Sequence, residues 1–172
     1  MARIYHALIA ASILSACAES PVEPNPGGGR TTLGRTTPAS QQNGSARPAG
    51  GICTLVSRNL LSPTHRILDY ECRLEHLGLT TAVVDETTAP APGGVAVTAA
   101  ITYTAANGDQ LYVSFLGTGF AEGGVGFFSG TETVTGGTGR FEGASGSLSR
   151  SGRSLLPPGF GGSYETEGTL TY

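Results

Sequence analysis

The chain has 172 residues, with 27 Gly, 10 Pro, no Lys, no Trp and a net charge of −3. Gly and Pro together form roughly a fifth of it, well above the ~12% of average usage. The ten basic residues, all Arg, are scattered and form no stripe, which excludes the basic footprint that nucleic-acid binding needs to displace phosphate counterions.

The first stretch, 1–16, reads as an export signal. Arg3 supplies a positive start, and Ala7 to Ala16 form an apolar core too short for a permanent membrane span. Leu14-Ser15-Ala16-Cys17 resembles a bacterial lipobox. That resemblance implies cleavage before Cys17, a diacylglycerol on its thiol, and anchoring to the cell envelope. Ala18 rather than Asp follows the Cys, which in a Gram-negative cell implies the outer membrane. An ordinary signal cut nearby, with Cys17 incidental, is the alternative.

Residues 17–50 carry almost no large apolar side chains. Such a stretch cannot offset its ordering entropy by burial, so it is expected to be a disordered tether. Random-coil scaling gives it a reach of roughly 30 Å. A segment that folds on a partner is the rival reading.

Residues 51–172 are expected to form one all-β domain. Cys53 and Cys72 are left as an even pair in an oxidising setting, so a Cys53–Cys72 disulfide is expected. Ile52, Leu55 and Val56 open the first strand, Gly51 to Leu61. Leu68, Tyr70, Cys72, Leu74 and His76 alternate with Asp69, Glu71, Arg73 and Glu75, the period of a half-buried strand. Leu79 to Glu86 makes a third strand, and Thr88 to Gly94 reads as a loop. Val95 to Thr104 and Leu111 to Phe115 form a hairpin around Asn107-Gly108, residues that tolerate the positive φ of a type I′ turn. Gly123–Thr135, Phe141–Ser151 and Ser163–Tyr172 complete eight strands in hairpin order. Eight antiparallel strands can close into an up-and-down barrel, which removes exposed edges, and Gly126, Gly130 and Gly143 would permit the coiling. A two-sheet sandwich is the other architecture that fits.

Gly136-Gly-Thr-Gly-Arg-Phe-Glu-Gly-Ala-Ser-Gly146 resembles a turn of the allene oxide cyclase and dirigent barrel superfamily. His76-Leu77-Gly78 and Ala106-Asn-Gly-Asp-Gln-Leu-Tyr112 are similar to stretches of bacterial barrels of that type. The resemblance spans about 51–172. It implies an eight-stranded barrel with an apolar cavity, and relatives that cyclise a fatty-acid epoxide or steer phenol coupling. Phe141 is suited to plug the barrel end, and Arg140 to pair with Glu132 or Glu142.

Two residues are candidate ligand contacts. His76, placed inward by alternation, can act as a base or orient a ligand; a strand-end His bonded to backbone is the plainer alternative. Tyr103, on an apolar face, can donate to a ligand oxygen or serve as core. No Gly-x-Ser-x-Gly elbow, triad or phosphate loop is present. No metal site or cofactor is expected, since Asp85-Glu86 offers too few oxygens for calcium. The chain therefore reads as a lipid-anchored envelope barrel that holds a small hydrophobic ligand or serves as an interaction module. The alternative is a cyclase- or isomerase-like enzyme acting on a lipid-like or phenolic substrate.

Overall fold

The structure, a computed structural model, describes residues 44–172. The export signal, Cys17 and most of the expected tether lie outside the described residues. The described residues form eight strands, β1 Arg47–Ser62, β2 His65–Leu74, β3 Gly78–Ala91, β4 Gly94–Ala105, β5 Gln110–Glu122, β6 Val125–Gly137, β7 Ser145–Leu155 and β8 Gly162–Thr171. Each pairs antiparallel with its chain neighbour, and β8 returns to β1, closing the barrel. The sandwich alternative is thereby excluded.

The strand bounds differ from expectation in physically readable ways. β1 begins at Arg47, upstream of Gly51, because Arg47 to Thr54 pair with β8 and Ala49 is buried. β2 begins at His65, so His65 and Arg66 belong to the strand rather than the turn before it. β3 runs on to Ala91, leaving only Pro92-Gly93 as the turn to β4. Phe141 lies not in β7 but in a short 3₁₀ turn, Gly139–Phe141. Gly143 lies in the turn that follows, at φ 73°, and not within a strand.

Alternation divides each strand into an inner and an outer face. The inner face supplies the core, from Leu55, Leu68 and Val84 through Ile101, Val113 and Phe115 to Leu148 and Leu170. The two ends of the barrel differ. One end is closed by buried Leu77, Phe141 and Ala144, with Phe141 edge-on to Tyr172 at 5.1 Å between ring centroids. The other end carries the β1–β2, β3–β4, β5–β6 and β7–β8 connections and is open.

Cys53 and Cys72 are direct partners across β1 and β2, and the expected disulfide is formed, with both residues buried. It points to an oxidising, extracytoplasmic setting. The bridge spans 19 positions of sequence, a loop worth about 3 kcal/mol in the chain-entropy model. Replacing both cysteines with Ala should therefore lower the melting temperature by on the order of 10 °C. Calorimetry with and without reductant checks this; a melting temperature unmoved by reduction would remove the disulfide from the account.

Candidate functional site

Two polar groupings face the barrel interior, at different depths. The deeper one is centred on Arg150. Its neighbours in β7 fix its direction: Ser147, Ser149 and Ser151 face outward, so Leu148, Arg150 and Gly152 face inward. The Arg150 side chain is 1% exposed, and its Nε lies 3.6 Å from Oε1 of Glu132, itself 1% exposed. None of the three guanidinium nitrogens has a hydrogen-bond acceptor among the described residues. Aromatic faces answer the charge instead. The guanidinium carbon lies 3.8 Å from the Tyr164 ring centroid, 5.0 Å from Phe115 and 5.2 Å from Phe128. Desolvated cation–π contacts of this kind are worth ~2 kcal/mol or more.

Room for those rings comes from missing side chains. A Cβ on Gly130 would lie 2.8 Å from Phe115 Cζ, and one on Gly152 would lie 2.7 Å from Phe128 Cζ. Glu132 is fixed from two sides: the Tyr103 hydroxyl donates to Oε1 at 3.0 Å and the Thr166 hydroxyl to Oε2 at 3.0 Å. The Tyr103 and Tyr164 hydroxyls are also 3.0 Å apart. Burial pushes the Glu132 carboxyl above its ordinary range; Arg150 and the two hydroxyls pull it down without cancelling that effect. Burial likewise raises both tyrosines. At neutral pH they are hydrogen-bonding phenols, not phenolates.

The second grouping lines a cavity of about 310 Å³ under the open mouth. Leu68, Val95, Val97 and Phe128 supply apolar wall, while Arg66, Tyr70 and Glu86 supply the ionisable groups. Arg66 and Glu86 are neighbours across β2 and β3. The Arg66 Nε donates to Glu86 Oε1 at 2.8 Å, with Nη2 on the same oxygen. Glu86 is buried in the wall, whereas the Arg66 side chain is 31% exposed and reaches toward the mouth. Burial raises the Tyr70 phenol pKa, against an opposing pull from Arg150 below. Leu156, from the segment between β7 and β8, covers one edge of the cavity.

The residues singled out from sequence fall in different places. Tyr103 faces inward as expected, but its hydroxyl belongs to the Glu132 centre and does not line the mouth cavity. His76 does not face inward. β2 ends at Leu74, alternation lapses, and His76 sits in the turn at φ 65°, exposed, with Nε2 2.9 Å from the Pro48 carbonyl oxygen. Arg140 pairs with neither Glu132 nor Glu142. Its Nε lies 3.7 Å from Asp109, whose carboxylate also accepts from the Arg140 amide.

No motif marks Arg150 or Arg66, and Glu86 stands out in the sequence only as half of the acidic pair Asp85-Glu86. The signal was strand parity, which aligns Arg150 with Leu148, Arg66 with Leu68, and Glu86 with Val84. The three motifs of the resemblance converge on the closed end. Gln110 and Thr138 exchange backbone and side-chain bonds, Asp109 meets Arg140, and Leu77 and Phe141 fill the end. These motifs build the floor of the barrel, away from the mouth cavity.

No protein-family model matches the sequence, and no curated protein does. Among solved structures, the chain is similar to a pterocarpan synthase dirigent protein, at 14% sequence identity and a TM-score of 0.51. The match covers 76% of this chain and 87% of that one. At that identity the likeness establishes a dirigent-like barrel fold, and the chemistry has to be argued from the cavity.

Proposed function

We propose that the protein is a cell-envelope barrel, anchored through a lipid on Cys17, that binds a small apolar molecule in its mouth cavity. The observation that carries this reading is the 310 Å³ space itself, apolar on most of its wall and polar at Arg66, Tyr70 and Glu86. That volume stands at the lower end of ligand pockets and equals about ten water volumes. The occupant is therefore small, with an apolar body and one polar group to meet the Arg66–Glu86 pair. Fold likeness to a dirigent protein supports a ligand-holding barrel without naming the ligand.

A cyclase- or isomerase-like activity is the second reading. It rests on Glu86 and Tyr70, an acid–base pair of side chains facing an apolar space. In either case the Glu132–Arg150 centre is framework, since neither residue lines the mouth cavity.

Native mass spectrometry of the exported protein tests the binding reading. A small bound mass, lost on denaturation, is expected, and Val95→Phe should remove it while leaving the β-sheet circular dichroism intact. A chain that carries no added mass after exposure to envelope lipid extract, or a bound mass unaffected by Val95→Phe, would contradict it.

The framework role of Glu132 has a pH signature. Its folded pKa lies above the ordinary 4.5, so the protonated form favours folding. That contribution is full below the unfolded value and is lost as pH rises through the folded value. Urea unfolding should show the stability of the unmodified protein, relative to Glu132→Gln, falling as pH rises from about 4.5. A difference that grows with pH would mean that Arg150 holds Glu132 ionised against its burial.

A further inference from the structure

The open end of the barrel carries an apolar collar that the cavity does not use up. Leu60, Leu61, Phe120 and Phe160 are each more than half exposed, and Leu155 is 43% exposed. They form a connected arc. Phe120 stacks on its cross-strand partner Phe127, with centroids 5.2 Å apart, and Leu155 pairs with Val125 in the next register. Arg58 ties the arc to β1. It donates to the carbonyls of Leu155 at 2.7 Å and Gly159 at 3.1 Å, and its guanidinium stands 5.9 Å from the Phe160 ring centroid. Leu60 and Leu61 follow on the same strand end. The remaining large exposed apolar residues, among them Ile52, Leu79, Val83 and Leu116, are spread along the walls and the other end.

Clustered exposed apolar surface marks an interaction site, and three features favour lipid over a protein partner. First, the arc consists of strand ends and turns that project from the end of a barrel. Its side chains are presented at that end rather than gathered along one wall of the barrel. Second, the rim carries two arginines without an ion pair among the described residues. Glu86 is taken by Arg66 and Asp85 is hydrogen-bonded to His65, while the unpaired Arg58 and Arg153 stand near the collar, with Glu122 and Glu165 as the neighbouring carboxylates. Basic side chains near an anionic membrane surface are attracted by ~1 kcal/mol each. Third, Phe120, Phe127 and Leu156 belong to the edge of the cavity as well as to the rim. An apolar molecule can thus pass between bilayer and cavity without crossing water.

We propose that the mouth end of the barrel docks on an anionic lipid bilayer, with Leu60, Leu61, Phe120 and Phe160 inserted among the headgroups and Arg58 and Arg153 at the phosphates. This docking is independent of any lipid on Cys17. It also goes beyond cavity binding, because vesicle contact through the collar with an empty cavity leaves docking intact and sinks only the ligand reading.

The absence of Trp makes a direct test available. In a Cys17→Ser chain, which cannot be acylated, Phe160→Trp places a single fluorophore in the collar and Leu79→Trp places one at the opposite end. With vesicles of phosphatidylcholine and phosphatidylglycerol, the Trp at 160 should shift to shorter wavelength and be quenched by brominated acyl chains. The Trp at 79 should do neither. Adding Leu61→Ser and Phe120→Ser to the Phe160→Trp chain should abolish the quenching, with melting behaviour confirming the fold. No quenching at 160, equal quenching at both positions, or quenching that survives the two Ser substitutions would overturn the proposal.

Discussion

Burying a guanidinium inside a barrel costs several kcal/mol unless its charge is answered in place. Here Arg150 is answered by one carboxylate, Glu132, at 3.6 Å and by three aromatic faces. Much of the interior is arranged to permit this. Gly130 and Gly152 clear space for Phe115 and Phe128, and Tyr103 and Thr166 hold Glu132 by its two oxygens. Tyr164 contributes both its ring to Arg150 and its hydroxyl to Tyr103, and so links the cation to the network. The disulfide sits beside it, with Cys72 Sγ 3.9 Å from the Tyr164 hydroxyl. Glu132, Arg150, Tyr103, Tyr164 and Thr166 thus form one connected network, which is why the centre behaves as a unit.

A filled centre divides the barrel. Below it, Leu77, Phe141 and Ala144 close one end. Above it, the space between Leu68, Val95, Val97 and Phe128 is left open. The chemistry follows the same division. Glu132, Tyr103 and Tyr164 satisfy one another and are sealed off, while Arg66, Tyr70 and Glu86 face the cavity. Any molecule the barrel holds meets the second set, and the collar of Leu and Phe decides what surface brings it there.

Much of this architecture could be read in the residues. Period-two alternation through Leu68–Leu74 and Val95–Tyr103 located strands and their inner faces, an even cysteine pair located the disulfide, and Asn107-Gly108 located the hairpin, although Gly108 alone takes positive φ there and the turn is not type I′. A polar residue at an inner position carries no such signal. Arg150 lies between serines and looks solvated until parity with Leu148 is followed through, and its partner Glu132 lies on the neighbouring strand β6, where only the β6–β7 register sets it two residues from Gly130, the residue opposite Arg150. For His76 the plainer alternative holds, a histidine past the strand end bonded to backbone, at the Pro48 carbonyl. The alternation that placed it inward ends two residues earlier, where the chain turns at positive φ. The recognisable motifs were also poor guides to function, because Gly136–Gly146 and Ala106–Tyr112 interlock at the closed end. What they encode is a turn-on-turn contact, Asp109 with Arg140 and Gln110 with Thr138.

The central claim is that the barrel is open at one end only and sealed at its centre. Methyl-resolved NMR of the protein titrated with a small apolar probe such as octanol tests it most directly. Shifts confined to the Leu68, Val95, Val97 and Leu156 methyls, with Leu77, Leu111 and Leu170 unmoved, are the predicted result. Shifts at the latter three, or at no inner methyl at all, would contradict the account.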